Sequence, residues 1–123
     1  MKKFLLFILI LISTDALCFE KTTNFTFEKF ESAKTKGKTI VINAWNKNCM
    51  ICAKQSKIFF NAINDFKNVE FFFYEQDKFK KIASALNIKF WTTIVVYKGQ
   101  NEIAREIGLV KKEDIYKLIK KGI

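Results

Sequence analysis

The residues best suited to chemistry in this chain are Cys49 and Cys52, which are separated by Met50 and Ile51. They lie where an apolar run, residues 39–45, gives way to a helical pattern. Two thiols at this spacing can close a small disulfide ring, and a helix N-terminus favours the thiolate form of a cysteine placed there. The pattern predicts a redox-active pair, with metal binding or inert core cysteines as the alternatives.

The composition limits the other functions open to the chain. It has no histidine and no second Cys-x-x-Cys, so one chain does not supply the four ligands of a zinc site. We therefore expect no metal site and no cofactor. The formal net charge is +10, but the lysines are dispersed and no arginine cluster or aromatic stripe accompanies them. This dispersion predicts a solvated basic surface and no nucleic-acid partner.

Alternating helical and strand patterns surround the cysteines. The expected elements are, in order, a helix from Phe27 that stops at Gly37, a strand at 39–45, a helix at 50–66, a strand at 69–74, a helix at 79–86, strands at 92–97 and 102–107 joined by a turn, and a helix around 115–119. The inward face of the 50–66 helix is assigned to its apolar residues, Ile51, Ile58, Ala62, Ile63 and Phe66.

This order of elements contains a β-α-β crossover followed by an antiparallel hairpin. It predicts an α/β fold, a three-layer α/β/α sandwich around a central mixed sheet of four or five strands. Because two other strands bracket the 39–45 strand, it should be central in the sheet.

The first 18 residues have the layout of a secretory signal peptide. A short basic start, Met1–Lys3, precedes nine apolar residues, Phe4–Ile12, and a polar stretch that ends at Cys18. Nine apolar residues are too few to span a bilayer, which takes about 20. We expect a signal peptide at 1–18 and a single domain at 19–123. The mature domain should be exported, to the periplasm in a Gram-negative cell, and should not span the membrane.

The chain resembles the thioredoxin-fold thiol–disulfide oxidoreductases over essentially the whole of the expected domain. The similarity is carried by Ile42-Asn-Ala-Trp45, the Cys49-x-x-Cys52 that follows, Asp77 after the second strand, the Thr93–Tyr97 strand and Gly108. The resemblance implies a thioredoxin fold that acts on protein disulfides. Cys49, at the helix start, would be the attacking thiolate, with Lys47 adding positive potential, and Cys52 would resolve the mixed disulfide.

Two departures from the family pattern bear on this mechanism. The family's cis-proline is replaced by Thr92, or by Trp91 if the alignment shifts by one, so this loop should be trans or strained. The family holds substrate with that loop, which makes Trp91, Thr92 and the neighbouring Trp45 candidate substrate-binding residues. Trp91 has an alternative role as an aromatic residue that packs against the active-site helix.

The second departure concerns the family's buried aspartate, which is replaced by Asn43, and the nearby lysine, which is replaced by Phe73. An asparagine cannot accept the proton of the resolving thiol. It resembles the asparagine of periplasmic thioredoxins in cytochrome c maturation, so Asn43 is a candidate supporting residue. A hydrogen-bonded core amide is the alternative.

The direction of electron flow follows from the residues between the cysteines. Met50 and Ile51 bring neither charge nor a side-chain hydrogen-bond donor, which favours a reductant over a strong oxidant. The resemblance implies a membrane-bound thiol electron donor, with apocytochrome c thiols or mispaired disulfides as substrates. A thiol oxidase or isomerase remains an alternative. So does a non-catalytic module that binds a soft metal or a protein partner.

Overall fold

The computed structural model describes residues 23–123. The elements in this part are helix α1 (Phe27–Thr35), strand β1 (Thr39–Trp45), helix α2 (Met50–Asp65), strand β2 (Val69–Glu75), helix α3 (Lys80–Ala85), strands β3 (Thr93–Lys98) and β4 (Asn101–Ile107), and helix α4 (Lys112–Lys120). The signal peptide predicted at 1–18 lies outside the described residues. From residue 23 to residue 123, no helix has the length and apolar character that a membrane span requires.

The four strands form one mixed sheet in the order β2-β1-β3-β4. β1 pairs in parallel with β2, whereas β3 is antiparallel to both β1 and β4. Parallel neighbours need a crossover connection, and α2 supplies it between β1 and β2. β1 is therefore central, as predicted, and its carboxyl end delivers the chain directly to the cysteine pair.

Helices cover both faces of the sheet. Alternate side chains of β1 point to opposite faces, so Ile40, Ile42 and Ala44 pack with α1 and α3. Val41 faces the other core, which α2 and α4 close. A central strand that is buried on both faces has a nearly continuous run of apolar residues, and the sequence shows such a run at 39–45. The predicted three-layer α/β sandwich with a mixed sheet is confirmed.

The outer edge of β2 is protected by the segment that precedes α1. The main-chain N–H of Asn24 donates to the carbonyl of Phe73 at 3.0 Å. The side-chain amide of Asn24 donates to the carbonyl of Phe71 at 3.1 Å and accepts from the N–H of Phe73 at 2.6 Å. One side chain thus supplies the pairing groups that a neighbouring strand would provide at an otherwise open edge.

The inward face predicted for α2 needs a correction. Ile51 and Ile63 were expected to face the core, but they are 38% and 36% exposed. The buried residues of α2 are Cys52, Gln55, Phe59 and Ala62, which share one face of a helix. Ala62 is buried as predicted, and Ile58 and Phe66 are half-buried against the core. The prediction was wrong for Ile51 and Ile63, and it left out Phe59 and the polar Gln55, which lie on the buried stripe.

Candidate active site

Cys49 and Cys52 lie at the start of α2 and form a disulfide. Cys49 is the N-cap residue, and its Sγ accepts a hydrogen bond from the main-chain N–H of Cys52 at 3.1 Å. Cys52 is only 3% exposed, whereas Cys49 is partly exposed. An incoming disulfide can therefore reach the sulfur of Cys49 more readily than that of Cys52.

The electrostatic setting of Cys49 follows from the helix that it caps. α2 is 16 residues long and has no acidic residue in its first turn. The free N–H groups and the positive end of the helix dipole therefore act on Cys49 without a nearby carboxylate on the same turn. A helix N-terminus of this kind favours the thiolate form of a cysteine at its N-cap, which is consistent with the attacking role predicted for Cys49.

The loop before β3 contains the residue that replaces the family's proline. Residues 23–123 include no cis peptide bond, and Thr92 has a φ of 65°. The loop is therefore trans and Thr92 is strained, since a β-branched residue at positive φ is an outlier that costs roughly 1–3 kcal/mol. The main-chain N–H of Thr92 donates to the carbonyl of Ala44, and its own carbonyl accepts from the N–H of Gly108 at 3.2 Å.

Behind the cysteines, Asn43 takes part in a buried amide network. Asn43 is fully buried, and its Nδ2 donates to Oε1 of Gln55 at 3.1 Å and to the carbonyl of Thr93 at 3.2 Å. Nε2 of Gln55 donates in turn to the carbonyls of Thr92 at 3.1 Å and Leu109 at 3.0 Å. Asn43 is thus a hydrogen-bonded core amide, and it is also connected to the loop before β3.

The sequence analysis missed Gln55, although a signal for it existed. Gln55 follows Cys52 by three residues and precedes Phe59 by four, so all three share one helix face. A glutamine on the face that carries a buried thiol is a candidate for a buried polar contact, because an unpaired buried amide is costly.

Trp91 lies in the loop before β3 and is held by an acidic residue. The indole Nε1 of Trp91 donates to Oδ1 of Asp77 at 2.9 Å, and Nδ2 of Asn46 donates to the other carboxylate oxygen. Asp77 therefore ties the loop before β3 to the turn that leads into the cysteine pair. Trp91 is 39% exposed, so its ring also presents an apolar surface to solvent.

Comparison with known proteins assigns this chain to a family. The profile of the AhpC/TSA family matches residues 12–122. The chain belongs to the AhpC/TSA family. Over 91 residues it is 33% identical to a thioredoxin of Mycoplasma genitalium, covering 74% of this chain and 86% of that protein. Thioredoxin H5 of Arabidopsis thaliana is 32% identical over 95 residues, covering 77% of this chain and 80% of the relative.

Solved structures show the same fold for this AhpC/TSA-family protein. Trxlp of Edwardsiella tarda superposes with a TM-score of 0.74 at 15% identity, covering 77% of this chain and 94% of that chain. Oxidised mitochondrial thioredoxin 3 of Saccharomyces cerevisiae gives a TM-score of 0.68 at 21% identity, covering 76% and 88%. The predicted thioredoxin fold is confirmed. The family member is a thioredoxin-like oxidoreductase with a Cys49-x-x-Cys52 pair.

Other predicted site residues are less closely connected to the pair in this AhpC/TSA-family protein. Trp45 is partly buried and packs against the core under α2 and α4. Its indole Nε1 is buried without a hydrogen-bond partner in the described part of the chain. Lys47 is exposed, and none of the ion pairs within residues 23–123 includes it. The substrate-binding role of Trp45 and the electrostatic role of Lys47 stay predictions.

Proposed function

We propose that this protein is an exported thioredoxin-like reductant of protein disulfides. The observation that carries the proposal is the asymmetry of the cysteine pair. Cys49 is accessible at the N-cap of α2, while its disulfide partner Cys52 is buried one turn further along. Such a pair separates the sulfur that attacks a client from the sulfur that later releases it.

The cycle begins with the two cysteines reduced. The thiolate of Cys49 attacks one sulfur of a client disulfide, and the other client sulfur leaves as a thiolate that takes up a proton. The thiolate of Cys52 then attacks Sγ of Cys49, which releases the second client sulfur and forms the Cys49–Cys52 disulfide. Two electrons and two protons pass from the pair to the client. The Cys52 proton leaves through solvent or the departing client thiolate, because the buried neighbour at Asn43 is an uncharged amide.

The surroundings of the pair support the reducing direction. Met50 and Ile51 are both exposed and carry no charge, so neither strengthens the thiolate of Cys49 beyond what the helix provides. Strong oxidants of thiols stabilise their reduced form through a strongly favoured thiolate. In the first turn of α2, only the helix terminus itself stabilises the thiolate of Cys49, and this modest stabilisation favours a reductant.

A protein client is supported by the exposed surface of the loop before β3. Phe90 and Trp91 are 60% and 39% exposed, and together with Ile107 they form part of a shallow apolar groove. Within residues 23–123, no hydrogen bond engages the main-chain N–H or carbonyl of Trp91. An extended peptide could pair with these groups while its side chains contact the aromatic rings.

Export, the donor and the client class rest on the sequence patterns. The layout of residues 1–18 supports export, to the periplasm in a Gram-negative cell. The Ile42-Asn-Ala-Trp45 strand resembles thioredoxins of cytochrome c maturation, which supports apocytochrome c as a client and a membrane-bound thiol as donor. Export is tested by the intact mass of the protein recovered from the producing cell. A chain that starts at Phe19 outside the cytoplasm supports it, and an uncleaved cytoplasmic chain contradicts it.

The reduction potential of the Cys49–Cys52 pair tests the direction. It is measured by thiol trapping in graded glutathione or dithiothreitol buffers. A value near about −250 mV or below supports the reductant, while a value of about −120 to −180 mV supports an oxidase or isomerase. A pair that does not cycle would contradict both and favour a binding module. Turnover of insulin disulfides with dithiothreitol as the donor then measures the reaction with a protein client.

A further inference from the structure

Gln55 is a fully buried polar side chain that the chemistry of the cysteine pair leaves unexplained. It lies on α2, three residues after Cys52, and its amide makes hydrogen bonds to three other parts of the fold. Those partners are Asn43 on β1, the carbonyl of Thr92 before β3 and the carbonyl of Leu109 after β4. The helix that carries the resolving thiol is thereby tied to both loops at the active-site end of the sheet.

An apolar residue at position 55 would satisfy the requirement for core packing. Burial of an amide is tolerated only when its donors and acceptor are paired, and the gain over an apolar side chain of similar shape is small. Here the two donors and the acceptor of Gln55 are each used. What Gln55 adds, compared with an apolar residue, is a fixed position for the two main-chain carbonyls that it contacts.

The loop that Gln55 contacts is the one that lacks a proline. Thr92 is held at a φ of 65°, which a threonine adopts only when surrounding contacts impose it. Its N–H is bound to Ala44, and its carbonyl is bound to both Gly108 and Gln55. Ala44 and Gly108 bind Thr92 through their main chains, whereas Gln55 binds it through its side chain. Gln55 thereby connects the strained residue to the helix of Cys52. Trp91, whose main chain is open to a client, is the residue immediately before.

We propose that Gln55 is a positioning residue for client binding. Its amide holds the Thr92 carbonyl, and with it the Trp91 loop, at a set distance from the cysteine pair, so that Gln55 acts through Thr92 and Trp91. This role rests on the proposed function, since it concerns protein clients of the same site. A small disulfide that reacts with Cys49 without docking on the loop does not depend on it.

The test compares a protein disulfide with a small one in the variant Gln55→Met, which keeps the length of the side chain and removes its hydrogen bonds. With insulin and dithiothreitol, KM should rise about fivefold or more while kcat stays within about twofold of wild type. The rate at which the reduced variant reacts with 5,5′-dithiobis(2-nitrobenzoate) should stay within about twofold of the wild-type rate. The reduction potential of its cysteine pair should stay near the wild-type value. An unchanged KM, or equal losses with both disulfides, would overturn the proposal.

Thr39→Val is the matched control for general destabilisation. Thr39 is also buried and donates from its hydroxyl to the carbonyl of Gly122, at the end of β1 opposite the cysteines. The substitution conserves volume and removes a buried hydrogen bond far from the loop, so KM for insulin should not change. A rise in KM in this control equal to that of Gln55→Met would also overturn the proposal.

A second variant keeps the test decisive if Gln55→Met does not fold. In Gln55→Glu, a protonated carboxyl still donates to one of the two carbonyls, whereas the carboxylate is repelled by both. The ratio of its KM for insulin to that of wild type should therefore increase from pH 5.5 to pH 8. A ratio that does not change with pH would contradict the positioning role. A wild-type protein that fails to reduce insulin would contradict the proposed function itself, which is a separate outcome.

Discussion

The main-chain N–H of Thr92 donates a hydrogen bond of 2.9 Å to the carbonyl oxygen of Ala44. This bond joins the loop before β3 to the end of β1, directly before the turn that leads to Cys49. A proline at position 92 would not fit this arrangement. Proline has no N–H to donate, and its ring holds φ near −65°, opposite in sign to the 65° found at Thr92.

Introducing the family's proline by Thr92→Pro should therefore destabilise this protein. The change removes the bond to Ala44 and is incompatible with the present φ, so we expect a loss of about 3 kcal/mol or more in the free energy of unfolding. Urea unfolding followed by circular dichroism measures it. Thr92→Gly is the control, since glycine keeps the N–H and adopts positive φ freely, and it should stay within about 1 kcal/mol of wild type. A proline variant as stable as wild type would contradict this account of the loop.

The unequal exposure of the two cysteines predicts an asymmetric trapping result. In Cys52→Ser, the client remains attached to Cys49 because no second thiolate is present to release it. Non-reducing gels of the variant mixed with insulin, whose disulfides are the client bonds, should show a covalent adduct that dithiothreitol removes. Cys49→Ser should give little adduct, because Cys52 is only 3% exposed. Equal adducts from the two variants would mean that the assigned roles are wrong.

The contact between Asp77 and Trp91 predicts a change in client binding and in fluorescence. Asp77→Ala removes the acceptor of the indole N–H, a hydrogen bond worth about 0.5–1.5 kcal/mol, so KM for insulin should rise roughly two- to tenfold. Quenching of tryptophan by acrylamide should increase, and Trp45→Phe in both proteins leaves Trp91 as the reporter. Asp77→Asn keeps one acceptor oxygen, so its KM and its acrylamide quenching should lie between those of wild type and Asp77→Ala. Unchanged quenching and KM would show that Asp77 does not hold Trp91.

The three tyrosines predict a loss of stability at high pH. Burial raises the pKa of Tyr74, and burial followed by the charge of Glu102 raises the pKa of Tyr97. Burial, with the hydrogen bond to Asp65, raises the pKa of Tyr116 to about 12. Because each folded pKa lies above the unfolded one, the contribution to stability is present below about pH 10 and is lost as the pH rises through the folded values.

Absorbance at 295 nm and circular dichroism, recorded in one alkaline titration, test this. The folded protein should show no tyrosine that ionises at the ordinary pKa of about 10, while in concentrated urea all three should ionise there. A step of one tyrosine near pH 10 with an unchanged dichroism spectrum would contradict the raised values.

Much of the fold was determined by short-range pattern in the sequence. The apolar run at 39–45 coincides with β1, and the turn at 98–101 lies between β3 and β4. These elements were predictable because local backbone preference and the periodicity of buried apolar residues are visible in a short stretch of sequence. The cysteine pair at a strand-to-helix junction could be recognised for the same reason. The buried face of α2 was predicted only in part, since it includes the polar Gln55, which a search for apolar residues passes over.

What the sequence determined by itself was the cysteine pair, the order of elements and the fold that places the pair at the end of a central strand. Only the tertiary structure decided how the loop beside the pair is held. Gln55 lies 37 residues from Thr92 and 54 residues from Leu109, and Trp91 lies 14 residues from Asp77. The partner of a polar side chain at such separations depends on which parts of the chain the sheet brings together, and no local pattern specifies it.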